Sequence, residues 1–168
     1  MLNKKPMPGD PVCTEDLLAA LTRLFNKGAQ IEREPVDTGD GTLLFTSEIH
    51  LIDVAGKYPH DGMSAIASRL GITKGAVSQT AKKLEDKGYL ERVSGEGDNK
   101  TVFIRLTAAG RRAFDWHTEY HHRVNDRIAE EFGRLTPTEQ THFLKVLSNI
   151  EAVFDSCTDI RRSVQNPR

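Results

Sequence analysis

Apolar positions along the chain follow two periods, and the changes of period mark its elements. Leu17, Leu18, Leu21, Leu24 and Phe25 recur every three or four residues, which predicts a helix from Thr14 to about residue 34 with Glu15 and Asp16 in its first turn. Pro35 and residues 36–42 break the pattern and read as a loop. A second helix is expected over 46–58, with Thr46 as N-cap and Ile49, Ile52 and Val54 buried, closed by the turn Pro59-His60-Asp61-Gly62. Two short helices follow: 64–70, stopping at Gly71, and one capped by Thr73 that runs through Lys87 to Gly88. The period then drops to two, so 89–93 and 102–106 read as the strands of a hairpin around a polar tip, 94–101. Thr107 caps a long helix reaching Phe132 and closed by Gly133. Thr136, Pro137 and Glu139 open a last helix with the apolar series Phe143, Leu144, Val146, Leu147, Ile150, Val153 and Phe154.

Four helices, a hairpin and two more helices predict a mainly α fold with a small β-hairpin wing. The architecture is a winged helix-turn-helix with N- and C-terminal dimerisation helices. Residues 1–13, with three prolines, read as a flexible arm and 161–168 as a tail. Residues 14–45 and 107–160 supply the dimerisation helices, and 46–106 the winged DNA-binding domain. Helices 14–34, 107–132 and 137–160 are too apolar on one side to stay exposed, and a second copy of the chain is the simplest partner.

Composition narrows the class. A chain of 168 residues, 38% hydrophobic and 28% charged, can bury a core and is too apolar for wholesale disorder. No apolar run approaches the roughly 18 residues of a membrane helix, and the first residues lack the apolar centre of a signal peptide. The reading is a soluble cytoplasmic protein with no membrane partner. Cys13 and Cys157 lie near opposite ends of the sequence, which excludes a disulfide framework and a four-cysteine zinc site; both read as inert thiols. Net charge is −1, yet positions 63–105 hold eight basic residues against five acidic ones. This +3 island in an acidic remainder is the footprint of a face presented to phosphate.

Inside the island, residues 63–79 carry a helix-turn-helix pattern. Ala67 is small where two helices cross, Gly71 permits the turn between them, and Ile66, Leu70, Ile72, Val77 and Leu84 are expected to form the small core. Ser64, Thr73, Lys74, Gly75, Ser78, Gln79, Lys82 and Lys83 are assigned to the surface facing double-stranded DNA. Ser78 and Gln79 have the donors and acceptors to read base edges, and Lys82 and Lys83 the charge to hold phosphates. Asn99 and Lys100, at the hairpin tip, are placed to enter an adjacent minor groove or hold phosphates. Two other classes compete with this reading. An enzyme would need machinery the sequence does not carry: it has no glycine-rich phosphate loop, no nucleophile elbow and no HExxH. A winged-helix protein-interaction module would share the fold without salt-sensitive binding to duplex DNA.

These residues also carry a family likeness. Phe45-Thr46-Ser47-Glu48, the run from Ile66-Ala67 through Lys82-Lys83-Leu84-Glu85-Asp86-Lys87-Gly88-Tyr89-Leu90-Glu91-Arg92, Asp98-Asn99-Lys100, and Arg105-Leu106-Thr107-Ala108-Ala109-Gly110 together resemble MarR-family transcriptional regulators. The resemblance spans 45–157, roughly two-thirds of the chain. It implies a homodimer with intertwined terminal helices and two winged domains on a pseudo-palindromic operator, acting as a repressor. The wing departs from the family's usual arginines, and a lysine lacks the arginine fork.

Six histidines raise the question of an effector. His117 and His121 are four apart and share one helical face, a spacing that suits chelation of one ion and equally suits two partly exposed surface histidines. His122 is rotated away from them. The resemblance extends to a zinc-responsive MarR subgroup and implies a divalent metal site of His50, His117 and His121 with Glu32. Zn²⁺ comes first for such ligands, with Mn²⁺, Ni²⁺ or Co²⁺ as alternatives. The other effector reading is a small aromatic molecule in a crevice lined by Phe45, Phe114, Trp116 and Tyr120.

Overall fold

The computed structural model describes the backbone of residues 13–95 and 98–165, and their side chains outside 94–101. The elements run α1 (Thr14–Ile31), β1 (Val36–Asp37), β2 (Leu43–Leu44), α2 (Thr46–Lys57), α3 (Met63–Leu70), α4 (Lys74–Asp86), β3 (Leu90–Gly95), β4 (Asp98–Leu106), α5 (Ala108–Gly133) and α6 (Pro137–Gln165). They fall into two compact units, the first ending at Thr118 and the second starting at Glu119. The fold is mainly α with a small antiparallel hairpin wing, a winged helix-turn-helix.

The first unit owns the core. Leu44, Leu51, Ile52, Ile66, Val77, Leu84, Tyr89, Leu90 and Ile104 are fully buried, joining α2, α3 and α4 to the wing. Each such side chain contributes about 1.5–3 kcal/mol relative to exposure. In the wing, Leu90 pairs with Leu106 and Arg92 with Ile104, and Gly62 adds a bridge to Phe103 beside them.

Local signals explain most boundaries. Gly71 (φ 64°) and Gly88 (φ 79°) take the left-handed conformation that ends α3 and α4. Around Gly88, Tyr89 N–H donates to the Leu84 carbonyl and Gly88 N–H to that of Glu85, the paired closure of a Schellman motif. Thr73 and Thr107 accept the N–H groups of Ala76 and Gly110 at the starts of α4 and α5. Thr136 and Glu139 exchange hydrogen bonds as a capping box at α6.

Several expectations are corrected. Thr46 is the first helical residue of α2, not its cap; the Glu48 carboxylate accepts the Phe45 N–H from within the first turn. The loop at 36–42 forms the first strand and turn of a short hairpin, in which the Asp37 carboxylate accepts N–H groups from Gly39, Asp40 and Gly41. Ile72 is 45% exposed and outside the core: its N–H closes the turn onto the Ala67 carbonyl while its side chain faces outward. Val54 and Leu70 are only half-buried against the core. Helix α6 continues through Gln165 into the expected tail, whose residues 166–168 lie outside the described ones. The expected arm does too, apart from Cys13.

Leu17, Leu18, Leu24 and Phe25 of α1 are exposed, as are Phe143, Leu144, Leu147, Val153, Phe154, Ile160 and Val164 of α6. Among the described residues, no helix is long and apolar enough to cross a membrane.

Candidate nucleic-acid interface

Helix α4 is amphipathic across the island of positive charge. Val77, Ala81 and Leu84 are buried at helical spacing, which turns Gly75, Gln79, Lys82 and Lys83 to the opposite, exposed face. Lys74 is exposed at the first turn, and Ser78 is half-buried at the edge of the face. Ser64 stands exposed at the start of α3. Thr73 is also exposed, but its hydroxyl oxygen serves as the α4 cap. Lys82 is paired with Asp86 at 2.7 Å, and that hydrogen bond raises its pKa, so the ammonium remains charged but shares its charge with a carboxylate. Asn99 and Lys100 lie on the backbone of β4; their side chains are outside the described ones.

Two depressions flank α4. One, of about 460 Å³, is lined by Ser64, Lys74, Ser78, Arg92 and Val102 among others. The other, of about 470 Å³, is lined by Ser78, Gln79, Lys82, Lys83 and Arg92. Six of the residues assigned from sequence therefore line them: Ser64 and Lys74 at the first, Gln79, Lys82 and Lys83 at the second, Ser78 at both. Sequence reasoning did not assign Arg92. Strand alternation carries the signal that was available: Leu90 is buried, Glu91 exposed and Arg92 half-buried, so Arg92 lies on the Leu90 side, toward α4. Its Nη2 is 2.9 Å and its Nε 3.1 Å from one oxygen of Glu85.

Two polar clasps hold this surface. Lys87 Nζ, at the end of α4, donates to both oxygens of Glu48 at 2.8 Å and to the Leu43 carbonyl at 3.0 Å. Glu48 is only 3% exposed, so its buried charge depends on the more exposed Lys87 ammonium for compensation. Tyr89 donates its hydroxyl proton to Asp40 at 2.7 Å. This hydrogen bond holds the Asp40 carboxyl below the usual range, while burial first and Asp40 second push the Tyr89 hydroxyl up. Gly110 lets α5 approach the strand: a Cβ there would collide with the Tyr89 carbonyl oxygen.

The candidate effector residues are assembled only in part. The rings of His50 and His117 meet edge to face, their centroids 5.8 Å apart, with His117 buried. Glu32 is exposed at the C-cap of α1, and His121 is exposed with its ring against Tyr120. Among the described residues, no group of three or more His, Cys, Asp or Glu side chains is placed to hold a metal ion. Of the aromatic set, Phe114 packs against the core beside Gly56, Phe45 is exposed near Lys87, Trp116 is half-buried and Tyr120 exposed.

A family model described as MarR family matches residues 49–100, from α2 into the wing. The HTH-type transcriptional regulator YhjH of Bacillus subtilis is 30% identical over 110 residues, 66% of this chain and 63% of that protein. The chain thus spans a little under two-thirds of that curated relative. Among solved structures, Streptococcus pneumoniae FabT in complex with DNA superposes with a TM-score of 0.67 at 28% identity, covering 86% of this chain and 99% of FabT. ZitR of Lactococcus lactis, described as a zinc-responsive MarR family member, superposes with a TM-score of 0.72 at 18% identity, covering 84% of this chain and 99% of ZitR. That second likeness is one of fold.

Proposed function

We propose, starting from the fact that the chain belongs to the MarR family, that it is a sequence-specific regulator of transcription. It binds double-stranded DNA as a homodimer on a pseudo-palindromic operator and represses. The observation that carries this reading is the outer face of α4, where Gln79, Lys82 and Lys83 stand opposite a fully buried Val77, Ala81 and Leu84. A helix so placed offers a major groove both hydrogen-bonding tips and positive charge. Ser78 and Gln79 read bases; Ser64, Lys74, Lys82 and Lys83 hold phosphates, with Asn99 and Lys100 reaching the flanking groove. FabT, solved on DNA, supports the partner, and the exposed apolar faces of α1 and α6 support a second copy. Affinity for duplex measured between 50 and 200 mM salt tests it. The expected result is a log–log slope of about −0.9 for each phosphate held. Salt-insensitive or absent binding would instead indicate a protein-interaction module.

One observation favours a second, additional reading, a divalent metal effector: the approach of His50 to His117, from α2 and α5. ZitR is zinc-responsive by description. Imidazoles with a carboxylate are a donor set that suits Zn²⁺, whose structural sites take four ligands. A pair falls short of that count. Calorimetry of Zn²⁺ with the wild type and with His117→Ala/His121→Ala decides it: stoichiometric binding lost in the double variant supports the site, and equal titrations remove it.

A further inference from the structure

We propose that Arg92 is a phosphate anchor: the cleft between the starts of α3 and α4 and the wing seats one backbone phosphate of the duplex, held by Arg92 and Lys74. The inference rests on the duplex-binding reading above and adds a residue to it. The cleft, about 460 Å³, brings together two cations, Lys74 and Arg92, with the hydroxyl-bearing Ser64 and Ser78 and an apolar wall at Val102. Cations with hydroxyl donors in one concavity form a set suited to a phosphodiester oxygen pair. Among the described residues none of the side chains lining it is acidic.

Arg92 differs from the surface lysines in being pre-organised. Its side chain is only 28% exposed, and two of its nitrogens rest on one Glu85 oxygen. A guanidinium has five N–H donors, so this clasp fixes the fork and still leaves donors for a second anion. Arg92 and Ser78 also line the neighbouring depression with Gln79 and Lys83. The seated phosphate therefore adjoins the groove that α4 enters.

The test compares salt slopes on duplex DNA for three proteins. Arg92→Gln keeps an amide donor for Glu85 and deletes the charge. Its slope is expected to fall by about 0.9 on every duplex, with base preference unchanged. Glu85→Gln keeps Arg92 charged and leaves an amide oxygen to hold its fork, so it is expected to show the wild-type slope and a smaller loss of affinity than Arg92→Gln. An unchanged slope in Arg92→Gln overturns the proposal. So does a loss of affinity in Glu85→Gln that equals the loss in Arg92→Gln, since the pair would then merely hold the wing. Inorganic phosphate titrated into the DNA-free wild type is expected to bind no more tightly than to Arg92→Gln; phosphate binding lost in Arg92→Gln beside an unchanged salt slope would assign the cleft to a free anion and overturn the backbone assignment. A wild type without salt-sensitive duplex binding would sink the regulator reading itself, an outcome distinct from these.

Discussion

Gln79 and Lys83 are neighbours one turn apart on the exposed side of α4, yet their chemistry divides the work between them. An amide tip carries a donor and an acceptor and complements an adenine edge, whereas an ammonium is a point charge without base preference. Gln79→Ala is expected to cost about 1–3 kcal/mol on the preferred site and little on random duplex. Lys83→Ala is expected to weaken all duplexes alike and to reduce the salt slope by about 0.9. Titrations of both variants on both duplexes check the division; exchanged phenotypes would reverse the roles. Asp40 offers a test of stability. Its depressed pKa means its contribution is present above the unfolded carboxyl pKa and is lost as pH falls through the folded value. Asp40→Asn should therefore melt below the wild type near neutrality, and the gap should close on acidification. None of this clasp was legible in sequence, because Asp40 and Tyr89 lie 49 residues apart and meet only through the fold.

At the level of elements, glycines and threonines with local jobs could be read from the chain, and residues serving distant partners could not. Gly71, Gly88, Thr73 and Thr136 each act within a few positions of themselves. The start of α2 was misread by one residue because the Glu48 side chain, not Thr46, satisfies the exposed N–H. Glu48 is itself neutralised by Lys87 from 39 residues away. Arg92 escaped assignment for the same reason: its strand position was visible, while its place beside α4 depends on the register of the wing. Gly88 gives the cleanest element-scale test. Its φ of 79° is costly for an L-residue, and a Cβ there would enter open space. Gly88→Ala should thus cost about 1–2 kcal/mol through backbone conformation alone, read from denaturant midpoints. A neutral result would mean that the turn between α4 and the wing relaxes freely.

For the whole molecule, the distribution of apolar surface matters most. Core residues concentrate in the first unit, whereas α6 has no buried residue and leaves Leu144, Val153 and Phe154 more than half exposed. Apolar surface of that extent is characteristic of an interface, and a second copy buries the same face on both sides. Sedimentation at micromolar concentration is expected to give a dimer, and Leu144→Glu a shift toward monomer; a monomeric wild type would contradict the assembly. Two winged domains related by a two-fold axis must in turn read two copies of one half-site. Selection of bound duplexes from a random pool tests that claim most directly. The expected result is an enriched two-fold-symmetric sequence, its half-sites about one helical turn or a multiple of it apart, bound by two chains per duplex. Enrichment of nothing, or of a single asymmetric site bound by one chain, would contradict the account.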